Sequence, residues 1–312
     1  MDNLFDVMSR EEYAAYSLRA LYASFGYSHY RMSKFEEYDL YAKNKDFLVS
    51  ENVITFTDTD GKLLALKPDV TLSIVKNNKL AAGESLKVYY HENVYRTSGS
   101  TRSFKELMQV GVEWQGRVDL DAKTEVVYLA VKSLDTISDN YVLELSHLDV
   151  VSAVLNALPV ADTARKDIIA NLAKKNIAAL RSICDEAGLS DEYKNSVIAL
   201  SRLYGKATDV LPKLGILKIS PEASQAIDEL CALISRLDEL NVAERVFVDF
   251  SLLSDLNYYN GISFRGFLEG IPTGVLLGGQ YDNLMQKLDK ASEAIGFAVY
   301  LDELSRAEVK NG

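Results

Sequence analysis

Val88-Tyr89-Tyr90-His91-Glu92-Asn93-Val94-Tyr95-Arg96 and Leu107-Met108-Gln109-Val110-Gly111-Val112-Glu113-Trp114-Gln115-Gly116, joined by the polar stretch from Thr97 to Lys105, read as strand, loop, strand. In the second strand Met108, Val110, Val112 and Trp114 share one face, and Gln109, Gly111 and Glu113 share the other, because successive strand side chains point to opposite sides. The first set predicts a core face. The second predicts either the wall of a polar site or an exposed sheet surface. At roughly 3.4 Å per residue, Gln109 and Glu113 stand about 13 Å apart, and Gly111 leaves room between them for a small polar, cationic guest.

Working outward, Ser9 to Phe25 predicts a helix. Ser9 and Glu12 form a capping-box pattern, Tyr13, Tyr16, Leu18, Leu21 and Tyr22 supply an apolar stripe, and Gly26 ends it. Phe47-Leu48-Val49, Ile54 to Thr57 and Leu63 to Leu66 predict short strands, with a turn at Asp58-Thr59-Asp60-Gly61. Lys67-Pro68-Asp69-Val70-Thr71 opens a short helix, with Pro68 in its first turn and Asp69 favouring its positive end. Asp119 to Ile137 is helical, and 141–148 is a strand. From Asp149 to Leu240 the texture becomes helical throughout, over Thr163–Ala187, Asp191–Leu214 and Pro221–Leu240, with no strand signal. Strands return at Val246–Phe250, Leu256–Phe264, Thr273–Gly279 and Ile295–Tyr300. The pattern predicts an α+β protein: an antiparallel sheet flanked by helices, with an inserted all-helical module. The sheet domain is discontinuous, 1–150 and 241–312; the module is 151–240.

A net charge of −11 argues against a nucleic-acid surface. The stretch 160–240 carries 11 lysines and arginines against 12 acids, so the module adds no basic surplus. No apolar run reaches the roughly 18 residues of a membrane span, and the acidic N-terminus lacks a signal region, which places the chain in the cytoplasm. Cys184 and Cys231 read as buried thiols in a reducing compartment. His29, His91 and His147 do not sit at metal-ligand spacing, and no metal or cofactor is expected.

In order along the chain, five segments resemble the histidyl-tRNA synthetase catalytic domain of the class II aminoacyl-tRNA synthetase fold. Leu66-Lys67-Pro68-Asp69-Val70-Thr71 is similar to Leu-Arg-Pro-Glu-Gly-Thr. Val94-Tyr95-Arg96 through Gly111-Val112-Glu113 is similar to motif 2. Leu256-Asn257-Tyr258-Tyr259-Asn260-Gly261 is similar to Leu-Asp-Tyr-Tyr-Thr-Gly, and Gly278-Gly279-Gln280-Tyr281-Asp282-Asn283-Leu284 to Gly-Gly-Arg-Tyr-Asp-Gly-Leu. Ile295 to Leu304 stands where motif 3 belongs. The resemblance implies that Asp69, Thr71 and Gln109 hold the α-amino end of histidine, and that Glu113 and Tyr259 meet its imidazole with Tyr258 beside them. Arg96 keeps the motif 2 arginine, to meet a phosphate or carboxylate or to stand in a structural ion pair.

Four departures fall on the ATP chemistry: Ser98 for a glutamate, and Ser254, Gln280 and Glu303 for arginines. Removing one donor aimed at developing charge costs about 10²–10³ in rate, so adenylate formation is not expected. The sequence ends nine residues after Glu303, so the family's anticodon-binding domain is not expected. A synthetase fold stripped in this way resembles the regulatory-subunit family of ATP phosphoribosyltransferase. That resemblance implies a non-catalytic role in the first step of histidine biosynthesis, the short-form catalytic subunit as partner, L-histidine as feedback ligand, and a homodimer within a larger hetero-oligomer. An active histidyl-tRNA synthetase of reduced architecture is the alternative.

Overall fold

A computed structural model of the chain describes residues 8–44, 48, 53–81, 83–97, 103–253 and 258–304. Ser98, Ser254, Leu256 and Asn257, and most of the strand expected at 47–49, lie outside them. In chain order the elements are α1 (Arg10–Ser24), β1 (Ser28–His29), β2 (Phe35–Glu37), α2 (Tyr38–Lys43), β3 (Thr55–Thr57), β4 (Leu63–Leu66), α3 (Thr71–Asn77), β5 (Leu86–Thr97), β6 (Phe104–Gly116), α4 (Leu120–Ile137) and β7 (Tyr141–His147). Then follow α5 (Leu148–Ala157), α6 (Asp162–Ala173), α7 (Ile177–Glu186), α8 (Asp191–Arg202), β8 (Tyr204–Lys206), α9 (Ala207–Val210) and α10 (Pro221–Glu239). The last are β9 (Val246–Asp249), β10 (Asn260–Leu268), β11 (Leu276–Gln280), α11 (Asp282–Lys287) and β12 (Glu293–Tyr300).

Nine strands form one sheet in the order β1-β5-β6-β12-β11-β10-β7-β9-β8; β2, β4 and β3 form a small second sheet. The large sheet is antiparallel except at β1/β5 and β7/β9. This is the α+β, class II synthetase-like architecture. The Val88–Arg96 and Leu107–Gly116 stretches are the paired hairpin β5–β6, in which Tyr90 lies opposite Gly111 and Glu92 opposite Gln109. One sheet face is closed by α1 and α4: Val110 and Val112 join Leu18, Tyr22, Val126 and Leu129 in the main apolar cluster. The other face carries Gln109, Gly111 and Glu113.

Ser9 caps α1 through the full capping box with Glu12. Its buried face is Ala14, Ala15, Leu18 and Tyr22, whereas Tyr13 and Tyr16 are exposed. The stripe expected from sequence is therefore buried only in part: Leu18 and Tyr22 face the core, and Ala14 and Ala15 take the places expected of Tyr13 and Tyr16. α3 begins at Thr71, so Pro68 precedes the helix instead of opening it, and Asp69 caps it by accepting the Leu72 N–H at 2.8 Å.

In the inserted segment, the single helix expected over 163–187 is two. Lys175 adopts φ +51° between α6 and α7, and Asn176 caps α7. No glycine or proline marks this break. The Lys175 side chain reaches the sheet from this break: Nζ meets Asp249 of β9 at 2.8 Å and lies 4.4 Å from the Tyr204 ring centroid. The segment also contains a strand, β8, which pairs antiparallel with β9. Tyr204-Gly205-Lys206 has no alternating pattern to announce it, and its pairing is supplied by the sheet edge. Buried residues of α10, such as Leu230 and Leu233, belong to the same apolar cluster as the sheet. Beside them Glu229 of α10 bonds Lys123 of α4, and His147 Nε2 lies 3.7 Å away.

Candidate functional site

Glu113 stands at the centre of the polar face, on β6 and 1% exposed. Thr71 at the start of α3 donates to its Oε1 at 2.6 Å. The Tyr281 hydroxyl, at the head of α11, donates to Oε2. Gly296 of β12 lies directly opposite, and a Cβ there would fall 2.0 Å from Oε2. The Glu113 side chain thus occupies space that only glycine leaves. Burial pushes its carboxyl up to about 8, partly opposed by the two hydroxyl donors.

The room expected above Gly111 is filled. Tyr90, directly across the hairpin, places its hydroxyl 2.5 Å from where a Gly111 Cβ would stand. The glycine is there to admit the protein's own tyrosine, which takes the space directly above Gly111. Gln109 is 3% exposed, and its Nε2 finds no partner among the described residues. A buried N–H donor without an acceptor fits a ligand carboxylate or carbonyl better than an ammonium.

Asp69 spends Oδ1 on the Leu72 N–H, and burial pushes its carboxyl up, opposed by that bond and by nearby Arg96. Arg96 donates from Nε to the Pro68 carbonyl at 2.9 Å and so pins the connection that carries Asp69. The same connection is held by Lys67, fully buried, whose Nζ meets Glu92 of β5 at 2.8 Å. Burial lowers the pKa of Lys67, and the bond to Glu92 opposes the shift.

Tyr258 and Tyr259 precede β10, so strand alternation does not separate them. Their rings meet edge to face at 4.7 Å between centroids. Burial pushes the Tyr258 hydroxyl well above its usual range, with Asp69, Tyr259 and Glu113 adding to the effect and a hydrogen bond with Thr71 opposing it. Tyr258 also lies 6.2 Å from Tyr281, centroid to centroid. Tyr259 instead packs over Gly279 of β11, where a Cβ would meet its ring at 2.7 Å. Tyr258, more than Tyr259, therefore shares the immediate surroundings of Glu113.

Sequence reasoning missed Tyr281, Tyr90 and the Lys67–Glu92 pair. Tyr281 was visible inside Gly278–Leu284, and Tyr90 follows from the hairpin register once β5 is laid against β6. Lys67 gave no local signal.

The positions expected to have lost cations are built into other bonds. Gln280 Nε2 donates to Asp282 Oδ2 at 2.6 Å, and the same oxygen accepts from Asn260 at 2.7 Å. Glu303 accepts from the Thr273 hydroxyl at 2.8 Å. Among the described residues no group of three or more histidine, cysteine or carboxylate side chains could hold a metal.

The histidyl-tRNA synthetase family model matches residues 2–304. An ATP phosphoribosyltransferase regulatory subunit from Oceanobacillus iheyensis is 26% identical across 90% of this chain and 70% of its own length. Two solved structures share the fold. An ATP phosphoribosyltransferase regulatory subunit/histidyl-tRNA synthetase from Bacillus halodurans has a TM-score of 0.83 at 23% identity, covering 96% of this chain and 79% of that one. A chain of an ATP phosphoribosyl transferase complex from Thermotoga maritima has a TM-score of 0.73 at 19% identity, covering 93% of this chain and 97% of that one.

Proposed function

The chain belongs to the histidyl-tRNA synthetase family, and from that premise we propose that it serves as the regulatory subunit of an ATP phosphoribosyltransferase and does not itself activate an amino acid. The observation that carries this reading is the bonding of Gln280 to Asp282 and of Glu303 to Thr273. Where the family resemblance expects arginines around the ATP phosphates, one residue is neutral and one is an acid. Phosphate charge in a transition state needs cations, and these two positions supply none. Meanwhile Thr71 and Tyr258 stand beside Glu113, and Gln109 lies on the same face of β6. The relative from Oceanobacillus iheyensis supports the same assignment.

In this reading the partner is the short-form catalytic subunit, which condenses ATP with phosphoribosyl pyrophosphate, and the ligand is L-histidine. Gln109 meets the amino-acid end and Glu113 the imidazole, with Asp69, Thr71, Tyr258 and Tyr259 completing the pocket. The chain works as a homodimer within a hetero-oligomer in the cytoplasm; no described helix is long and apolar enough to cross a membrane. Feedback requires the two sites to share a coupling free energy, typically about 1–3 kcal/mol.

Mixing the chain with a short-form catalytic subunit tests the assignment. Phosphoribosyl transfer should rise on addition of the chain and fall on addition of histidine. Retention of Arg96 favours one second reading, an active synthetase. Robust pyrophosphate exchange with histidine and ATP, by the chain alone, would establish that reading and remove the first.

A further inference from the structure

α5 and α10 lie side by side, and a groove of about 540 Å³ opens between them. Asp149, Ala153 and Ala157 line it from α5, and Glu222, Ala226 and Glu229 from α10, at the three- and four-residue spacings that share one helix face. Glu222 and Glu229 are about 10 Å apart along α10, at roughly 1.5 Å per residue. Asp149 belongs to the Glu229 end, because His147, two residues before it, lies 3.7 Å from Glu229. Among the described residues no lysine, arginine or histidine lines the groove. Glu229 is met from behind by Lys123, whereas Asp149 accepts the Gly261 N–H at 3.3 Å and, like Glu222, forms no ion pair among the described residues. Two buried groups behind the same end also lack partners there. Neither nitrogen of the His147 ring has a hydrogen-bond partner, so the neutral ring holds an unmet acceptor. Gln280 Oε1, beside Gly261, has none either. Buried polar groups are normally paired, so this end of the groove is short of N–H donors as well as of positive charge.

We propose that the α5–α10 groove is a docking surface for a basic segment of the partner protein, which sets one cationic side chain against Glu222 and another at the Asp149–Glu229 end. The inference rests on the reading above, in which that partner is the short-form catalytic subunit. Charge complementarity selects the occupant. A chain of net charge −11 draws basic surfaces and repels acidic ones, and a groove lined by carboxylates alone sharpens that preference locally. The apolar stem of a lysine or arginine lies over the alanine floor while its head reaches a carboxylate. Arginine suits the Asp149–Glu229 end, because its planar head brings five donors to a place with spare acceptors. An acidic or apolar segment in the same position strips water from the carboxylates and gives nothing back.

Calorimetric titration of the full chain with a short-form catalytic subunit, at low and at high salt, tests this. Association of the parent should weaken as salt rises. Glu222→Lys should weaken it about tenfold or more at low salt, because a like charge then meets the basic segment. Gln225→Arg, at an exposed position of the same wall, should act in the same direction and decides the matter should Glu222→Lys disturb the first turn of α10. Asp167→Lys on α6 makes the same charge change outside the groove and should leave the affinity as it was. Parent-like affinity in both groove variants overturns the inference. Equal weakening by Asp167→Lys overturns it too, since net charge alone then accounts for the effect. If affinity for the catalytic subunit is unchanged while the parent binds spermidine and Glu222→Lys does not, the groove takes a free polyamine and the docking role is overturned. Absence of any association between the parent and the catalytic subunit removes the partner reading itself, and the inference with it.

Discussion

The Thr71 hydroxyl donates to Glu113 Oε1 at 2.6 Å, across 42 residues of chain. The bond joins the first turn of a short helix to a central strand. Tyr281 holds the second oxygen from a still more distant segment. Glu113 is thereby held at both carboxyl oxygens by segments far from it in the chain, with Asp69 and Tyr258 close enough to interact with its charge.

Truncating that carboxyl removes the polar contact and strands two hydroxyls. Glu113→Ala should weaken histidine binding by about 1–3 kcal/mol, the usual cost of an unmet buried partner. Calorimetry on the variant checks it, and unchanged affinity would place the ligand elsewhere.

Gly296 faces the same carboxyl from β12. A methyl group there would stand 2.0 Å from Glu113 Oε2 and 2.5 Å from the Val112 carbonyl, and backbone cannot yield. Gly296→Ala should cost about 1–3 kcal/mol in denaturant unfolding. Gly215→Ala is the control: nothing lies within 4 Å of its Cβ position, and the change should stay within about 0.5 kcal/mol.

Lys67 is fully buried and bonded to Glu92, whose side chain is 16% exposed. Removing one partner of such a pair leaves the other uncompensated, so Lys67→Met should lose about 3–5 kcal/mol of stability. Because Lys67 and Arg96 hold the same connection through Glu92 and the Pro68 carbonyl, the variant should also bind histidine less tightly. Thermal unfolding and calorimetry read the two effects separately.

At the junction of α10 with α4, His147 and Lys123 lower the Glu229 carboxyl to about 2, against the opposing effect of its burial. The folded state therefore binds this proton less readily than the unfolded state, and the contribution to stability is present above about 4.5 and lost as the pH falls toward about 2. Glu229→Gln should melt lower than the parent at neutral pH, and the gap should narrow on acidification through that window. A gap independent of pH would mean that the pair contributes nothing to holding the inserted helices in place.

Two kinds of information met in this protein. Local periodicity in the sequence sufficed for the β5–β6 hairpin and for the face that carries Gln109 and Glu113, because a strand repeats every two residues whatever surrounds it. The order of the five family-like segments sufficed for the α+β class II architecture, since an ordered set of local patterns survives even when single residues change. Tertiary structure alone decided what those residues touch. Tyr90 fills the space over Gly111, Tyr281 and Thr71 each donate to one oxygen of Glu113, Asp69 spends an oxygen capping α3, and Lys175, at the break between α6 and α7, meets Asp249. Each of these is a contact between segments far apart in the chain, set by sheet register and packing. No short pattern encodes such a contact, because its free energy comes from a partner that only folding brings near.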